Sequence, residues 1–244
     1  MSGPLALHGG GEFLTGDEPF LAAILRHAAE RPRRDESSPV RVVVVPTATA
    51  RHMPQRAGAL GTAALERVAA SLGLRAQVEA AMVVDAPSAA DPALAAILAA
   101  ADLIHLPGGD PDVFPTLYPG SVAWSAIEAA WTAGAVIAGA SAGAMALAAL
   151  TWTPNGFVAG LGLVHGLLVV PHADARSWAD TARRFGADRP PDLGALGLAE
   201  RTGVIGRPGA RWLVVGEGEA RWLAPGASEP VVAADGETLD LDVA

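Results

Sequence analysis

The feature that most constrains the fold is an alternation between short apolar runs and longer alanine-rich segments. Residues 41–46 read RVVVVP, and a continuous β-branched run of this kind is typical of a strand that is covered on both faces. Residues 60–74 then carry apolar side chains at helical spacing. Further strand-like runs lie at 4–7, 76–84, 102–109 and 135–141, and helix-like segments at 18–32, 91–101 and 121–134. The pattern predicts an α/β protein with a mostly parallel sheet between two helical layers.

The pattern changes after Leu150, where the strand-like pieces become shorter. These pieces lie at 166–172, 193–200, 202–207, 210–218 and 220–226, and one helix is predicted at 176–185. We therefore expect a small antiparallel C-terminal extension, in which the two ARWL segments at Ala210 and Ala220 form adjacent strands. No linker-like stretch divides the chain, which predicts one domain over residues 1–244.

Composition excludes several classes of function. A net charge of −9 provides no basic surface for nucleic acid, so we expect no nucleic-acid partner. The absence of cysteine excludes thiolate catalysis, disulfides and thiolate metal sites. The first residues, MSGPLALHGGGEF, have neither the basic region of a signal peptide nor the length of a membrane anchor. We expect a cytoplasmic protein with no membrane partner.

A possible nucleophile stands between a predicted strand and a predicted helix. Gly139, Ser141 and Gly143 satisfy the pattern G-x-S-x-G in that context. Such an elbow exposes a serine hydroxyl at a helix N-terminus, where N–H groups favour a developing oxyanion. The alternative is that small residues merely pack a tight turn in an alanine-rich chain.

A serine hydroxyl needs a neighbouring base, and six histidines are available. His172 follows the apolar run GLLVVP, at the carboxyl end of a predicted strand, where open α/β sheets assemble their sites. The other reading of His172 is a turn residue after Pro171. The remaining histidines are less suitable because they lie in apolar runs, on a helix or in other loops: His8, His105, His27, His52 and His165.

An oxyanion would need a pair of N–H donors. The turn LPGGD follows the predicted strand at 102–106, and its glycines let the backbone N–H of Gly109 face the neighbouring elbow. With the N–H of Ala142, the residue after the serine, Gly109 can form an oxyanion hole.

Together these motifs resemble those of a known family. GPLALHGGGE, LPGGD, AGASAGA and GLGLVHGLLVVPH, in this order over about residues 3–205, are similar to the serine peptidase family of peptidase E (aspartyl dipeptidase) and cyanophycinase. The resemblance implies a class I glutamine amidotransferase-like, flavodoxin-like α/β/α sandwich. It also implies Ser141 as nucleophile, His172 as general base, Gly109 and Ala142 as oxyanion donors, no cofactor and a homodimer.

The acid that orients His172 is not settled by the motifs. Asp174, two residues after His172, stands where class I amidotransferases keep their acid, and is our first choice; its other role would be to cap the helix that follows. Glu200 resembles an acidic position on a later strand of the family and is the alternative. The segment after the nucleophile helix, where peptidase E carries an acid, offers only Asn155.

Substrate-binding residues are suggested by position and chemistry. Arg176 lies near the base, where cyanophycinase-like sequences also carry arginine, and a guanidinium suits a carboxylate; it can equally pair with Asp180. Glu12 and Asp110 border the two glycine turns, where an acid can cap the turn or contact a substrate amine. Because Val170 and Pro171 replace the Asp-Gln of cyanophycinases, cyanophycin is not the expected substrate.

Two functions remain open at this point. The first is a serine exopeptidase or dipeptidase that cleaves short peptides through an acyl-enzyme on Ser141. The second is a non-catalytic binding protein that kept the elbow and lost the acid. An α/β-hydrolase esterase is disfavoured because no histidine follows Val204, and dinucleotide binding because the glycine spacing departs from G-x-G-x-x-G. The spacing of the histidines predicts no metal site.

Overall fold

The computed structural model of the protein describes residues 1–31, 38–174, 176, 178, 190 and 192–241. In these residues two β-sheets and seven α-helices are found. The α/β architecture that the alternating sequence predicts is confirmed. The helix predicted at 176–185 lies almost wholly outside the described residues.

The first sheet has eight strands in the order β14-β11-β10-β1-β5-β4-β2-β3. The first five strands in chain order are parallel, and β10, β11 and β14 extend the sheet in antiparallel fashion beyond β1. The strands are β1 (Leu5–His8), β2 (Val40–Val44), β3 (Ala76–Ala80), β4 (Leu103–Leu106), β5 (Val136–Ala140), β10 (Thr202–Gly206), β11 (Arg211–Gly216) and β14 (Thr238–Asp240).

The helices follow the strands as the sequence predicts. They are α1 (Glu18–Ala29), α2 (Pro54–Ser71), α3 (Ala86–Ala89), α4 (Pro92–Ala99), α5 (Val113–Leu117), α6 (Val122–Thr132) and α7 (Ala142–Leu147), with a turn of 3₁₀ helix at Thr47–Thr49. Side-chain caps begin several of them: Asp91 Oδ1 accepts the N–H of Ala93, and Ser121 Oγ accepts that of Trp124. Helix α2 begins six residues before the predicted start, because Pro54 occupies its first turn.

The C-terminal half also builds a second sheet, of six strands in the order β13-β12-β9-β8-β6-β7. It is mixed, since β8 pairs in parallel with both β6 and β9 while the outer pairs are antiparallel. The strands are β6 (Ala148–Thr153), β7 (Gly156–Ala159), β8 (Val164–Val170), β9 (Gly194–Leu198), β12 (Ala220–Leu223) and β13 (Val231–Ala233). The two ARWL segments are therefore strands of different sheets, β11 and β12, and the expectation that they are neighbours is wrong.

Buried apolar side chains cover both faces of the first sheet. On one face, residues of α1 and α2 pack against the sheet. On the other face a larger cluster joins the sheet to α4, α6 and α7 and to the second sheet, through residues such as Ile137, Leu167, Leu196 and Trp222. The second sheet thus shares a core with the first, which brings the carboxyl ends of β8 and β9 to the edge where β5 ends.

No helix in the described part of the chain is long and apolar enough to cross a membrane.

Candidate active site

Ser141 occupies a strained junction between β5 and α7. Its backbone has φ 47° and ψ −113°, in the left-handed half of conformational space that a serine seldom adopts. Its N–H donates to the carbonyl of His8 at 2.9 Å, which ties the junction to the end of β1. A side chain at Gly143 would collide with the carbonyl oxygen of Leu106, so the elbow requires glycine there.

The His172 ring reaches the serine from the second sheet. His172 lies two residues beyond β8, has φ 54°, and donates its N–H to the carbonyl of Gly9 at 2.8 Å. Its Nε2 lies 3.0 Å from Ser141 Oγ. The ring lies directly over Gly10, whose φ is 112° and where a Cβ would stand 2.9 Å from both ring nitrogens. Gly10 therefore provides the space that the ring needs to reach the hydroxyl.

Glu200 contacts the other side of the imidazole. Its Oε1 lies 3.0 Å from His172 Nδ1, and the N–H of the next residue, Arg201, donates to the carbonyl of Gly10 at 2.7 Å. An ionised carboxylate only accepts hydrogen bonds, so Nδ1 carries the hydrogen and Nε2 is free to accept the serine hydroxyl. This is the arrangement in which an imidazole can remove a proton from serine.

Asp174, the first choice of the sequence analysis for the orienting acid, contacts the backbone of the residues that follow it. Its Oδ1 accepts the backbone N–H of Arg176 at 2.9 Å, and its carbonyl accepts that of Trp178 at 2.8 Å. These are the contacts of a residue that caps a turn. Among the contacts that the structure describes, the carboxylate at His172 Nδ1 is that of Glu200, which the sequence analysis ranked second.

The glycine turn that carries one of the predicted oxyanion donors, Gly109, borders the serine. A Cβ placed on Gly108 would stand 2.9 Å from Ser141 Cβ, so the glycine turn after β4 abuts the elbow. Within the described residues neither the N–H of Gly109 nor that of Ala142 has an acceptor. The N–H of Gly108 differs, because it donates to Glu12 Oε1 at 2.7 Å.

A second, buried pair of acid and histidine lies behind the glycine-rich loop that follows β1. His8 Nε2 is 3.0 Å from Asp17 Oδ1, and both side chains are almost completely buried. His8 Nδ1 accepts the N–H of Gly10 at 3.3 Å, and Asp17 Oδ2 accepts that of Phe13 at 2.8 Å. The pair therefore holds the loop on which the His172 ring rests. The sequence indicated only a core or turn residue at His8, because nothing in the pattern connects it to Asp17.

His105 lies on β4 on the same side of the sheet as His8 and is also fully buried. Its ring packs against Phe13 at a centroid distance of 5.0 Å, and neither of its nitrogens has a hydrogen-bond partner among the described residues. Burial, with a smaller contribution from the nearby His8, lowers the pKa of His105 to about 3. His105 is therefore neutral at physiological pH.

The two predicted substrate-binding residues lie in different surroundings. Asp110, partly exposed, is paired with His52 Nε2 at 3.3 Å and with Arg51 at 3.7 Å. Arg176 is exposed, and the partner that we considered for it, Asp180, lies outside the described residues. In the described part of the chain no cluster of three or more His, Asp or Glu side chains could hold a metal ion.

Comparison with known proteins identifies relatives over most of the chain. The family model of peptidase family S51 matches residues 7–205. The structure of a peptidase from an acI-B1 Actinobacterium is similar with a TM-score of 0.81 and 25% identity, over 98% of this chain and 97% of that one. A protein from Listeria monocytogenes EGD-e assigned to peptidase E has a TM-score of 0.58 at 16% identity, over 89% of this chain and 99% of that one, and supports the fold alone. Comparison with curated proteins gives no match.

Proposed function

Because the chain belongs to peptidase family S51, we propose that it is a serine peptidase that hydrolyses short peptides through an acyl-enzyme on Ser141. Two contacts of the His172 ring carry this proposal. Its Nε2 lies 3.0 Å from Ser141 Oγ, and its Nδ1 lies 3.0 Å from Glu200 Oε1. The second of these contacts supports Glu200 as the orienting acid.

In the first half of the proposed reaction, Ser141 Oγ attacks the carbonyl carbon of the scissile bond while His172 Nε2 takes the hydroxyl proton. The N–H groups of Gly109 and Ala142 then bind the oxyanion of the tetrahedral intermediate. The imidazolium gives its proton to the leaving amine as the C–N bond breaks, and the carboxylate of Glu200 stabilises the positive charge in between.

The second half returns the enzyme to its starting state. His172 Nε2 removes a proton from a water molecule, whose oxygen attacks the acyl carbon and forms a second tetrahedral intermediate. Collapse of this intermediate breaks the ester bond, returns the proton to Ser141 Oγ, and releases the carboxylic acid product.

The exposed position of the site supports a short substrate. The side chains of His172 and Glu200 are about half exposed, at 51% and 54%. A small peptide can therefore approach Ser141, His172 and Glu200 from solvent. We propose an exopeptidase or dipeptidase. The alternative of a non-catalytic binding protein rested on a missing acid, and the contact between Glu200 and His172 weakens it.

A fluorophosphonate probe tests the proposed nucleophile. We expect the probe to label the wild-type protein on Ser141, located by mass spectrometry, and Ser141→Ala to abolish labelling. Ser125→Ala, a change at an exposed serine of α6, serves as control and should label like the wild type.

Hydrolysis is tested separately, with a panel of free dipeptides that includes Asp-X and other first residues. Release of amino acids that disappears in Ser141→Ala would support the peptidase. A folded protein that is neither labelled by the probe nor active on any dipeptide would contradict the proposal and favour the binding protein.

A further inference from the structure

Glu12 lies where the two glycine turns of the site meet. Its Oε1 accepts the N–H of Gly108 at 2.7 Å, across 96 positions of sequence, and its side chain is only partly exposed. A Cβ placed on Gly108 would stand 3.0 Å from that oxygen and 2.9 Å from Ser141 Cβ. The small space above Gly108 is therefore bordered by the nucleophile on one side and by a carboxylate on the other.

No cationic side chain among the described residues balances the charge of Glu12. In the part of the chain that the structure describes, no Arg or His nitrogen lies within 4.0 Å of this carboxylate. Asp110, the other acid beside a glycine turn, is already paired with Arg51 and His52. Glu200 is paired with His172. Of these three acids at the site, Glu12 is the one whose negative charge is left for a ligand.

A lone carboxylate beside an oxyanion hole opposes the proposed chemistry unless a cation accompanies the substrate. The negative charge of the tetrahedral intermediate would develop near Glu12, and like charges in a partly desolvated site repel each other. A substrate that brings its own positive charge to Glu12 removes this repulsion and gains a charge-assisted hydrogen bond.

The short distance between Glu12 and Ser141 indicates which positively charged group of the substrate can contact Glu12. The α-nitrogen of the residue that acylates Ser141 is two bonds from the carbonyl carbon under attack, so it lies close to the serine whatever the side chain is. Building on the proposed peptidase function, we propose that Glu12 binds the free α-ammonium group of the residue on the acyl side of the scissile bond. The enzyme would then act on the first peptide bond of its substrates, with Glu12 as a specificity-determining residue.

Glu12→Gln separates this role from a purely structural one. The glutamine carbonyl oxygen can still accept the N–H of Gly108, so the turn keeps its support, whereas the charge is lost. A structural role would make the variant behave alike toward charged and uncharged substrates. A role in binding the ammonium group would change their ratio.

The kinetic experiment compares alanine p-nitroanilide with propionyl p-nitroanilide, which differ only by the amino group. We expect the wild type to prefer the amino compound. In Glu12→Gln the ratio of kcat/KM for the two anilides should fall by about tenfold or more, the loss typical of a hydrogen bond to a charged group. Glu66→Gln, at an exposed position of α2, is the matched control and should keep the wild-type ratio.

Binding provides a readout that does not depend on turnover. Alaninamide and propionamide are titrated by NMR into two proteins, the single variant Ser141→Ala and the double variant that also carries Glu12→Gln. We expect the single variant to bind alaninamide more tightly than propionamide, and the double variant to bind the two amides equally. Equal affinity of Ser141→Ala for the two amides, or an unchanged ratio in Glu12→Gln, would overturn the assignment. If Ser141 were not labelled by the fluorophosphonate while alaninamide still bound through Glu12, the proposed peptidase function would fail and the ammonium site would stand.

Discussion

Each nitrogen of the His172 ring faces a different partner, and the chemistry of the site depends on this division. Nε2 faces Ser141 Oγ and Nδ1 faces Glu200 Oε1, both at 3.0 Å. A carboxylate at Nδ1 favours the tautomer in which Nε2 can accept a proton, and this is the role that we propose for Glu200. Because the pair of His172 and Glu200 is half exposed, we expect it to contribute little to stability, and the role that we propose for Glu200 is to orient the ring and select its tautomer.

Replacing Glu200 by glutamine tests this role. The amide can donate a hydrogen to Nδ1 and so favour the unproductive tautomer, and it cannot stabilise the imidazolium. We expect kcat to fall by about 10⁴-fold, as for the orienting acid of other serine triads. Initial rates on the best dipeptide, together with the rate of fluorophosphonate labelling, measure the effect.

Asp174→Asn is the comparison that decides between the two acids. Asparagine keeps a side-chain oxygen that can accept the N–H of Arg176, so the turn is preserved. We expect its kcat to stay within about threefold of the wild type, since surface changes of this kind are small. A large loss in Asp174→Asn with little loss in Glu200→Gln would restore the original ranking.

The buried His105 makes stability depend on pH. Its pKa is about 3 in the folded protein and near 6.5 in the unfolded chain, so the unfolded chain binds a proton first as the pH falls. The folded state therefore loses stability progressively from pH 6.5 toward pH 3. Between pH 7.5 and pH 5 this one group should lower the free energy of unfolding by about 2 kcal/mol.

Urea unfolding of the wild type and of His105→Leu at the two pH values measures this contribution. The difference between the proteins isolates His105 from the other groups that titrate in the same range. We expect the variant to lose about 2 kcal/mol less than the wild type between pH 7.5 and pH 5. An identical pH dependence of the two proteins would show that His105 is not the responsible group.

At the scale of elements, the loop after β1 connects the parts of the site. It accepts the N–H of His172 at Gly9 and that of Arg201 at Gly10, and its Glu12 accepts the N–H of Gly108. Behind it, His8 and Asp17 hold the backbone of the loop from the core side. These contacts join the proposed base, His172, to the turn that carries the proposed oxyanion donor Gly109.

Gly10→Ala tests whether the ring of His172 depends on this loop. The new Cβ would collide with the ring, and displacement of a reacting group by about 1 Å can reduce rates by about 100-fold. We expect the fluorophosphonate labelling rate to fall by about that factor in a protein that still folds.

Gly73→Ala is the matched control for this variant. Gly73 also has a positive φ, 67°, but nothing lies within 4 Å of a Cβ placed there. It should label like the wild type while losing about 1 kcal/mol of stability. Equal labelling rates in the two variants would mean that the ring does not rely on the space at Gly10.

The elements show how far sequence reasoning reaches. The parallel strands β1, β2, β4 and β5 were predictable because each is a mainly apolar run followed by a helical period, and Ser141 and His172 stood out because each follows such a run. The acid was not predictable in the same way. Its position depends on β9 pairing in parallel with β8, which brings Glu200 and His172 to one edge, and no local pattern specifies which strands pair. The prediction that the two ARWL segments form adjacent strands was wrong for the same reason.

At the scale of the whole molecule, the candidate site is divided between the two sheets. Ser141 follows a strand of the first sheet, His172 follows a strand of the second, and Glu200 lies in the turn that passes from the second sheet to the first. The sheets share one apolar cluster, which contains Trp212 of β11 and Trp222 of β12. The geometry of the site therefore depends on how the sheets pack. If the sheets separated, Ser141 and His172 would no longer be in contact.

This dependence predicts that activity and tertiary structure are lost together, as expected for the one domain that the sequence predicts over residues 1–244. In a urea titration, labelling of Ser141 and the fluorescence of the buried tryptophans should give one transition with the same midpoint. In a background in which the other four tryptophans, Trp124, Trp131, Trp152 and Trp178, are replaced by phenylalanine, Trp212→Phe leaves Trp222 as reporter of the second sheet, and Trp222→Phe leaves Trp212 as reporter of the first. If the sheets unfolded independently, these variants would show separate midpoints, and labelling would cease at the lower one because Ser141 and His172 would part when the weaker sheet unfolds.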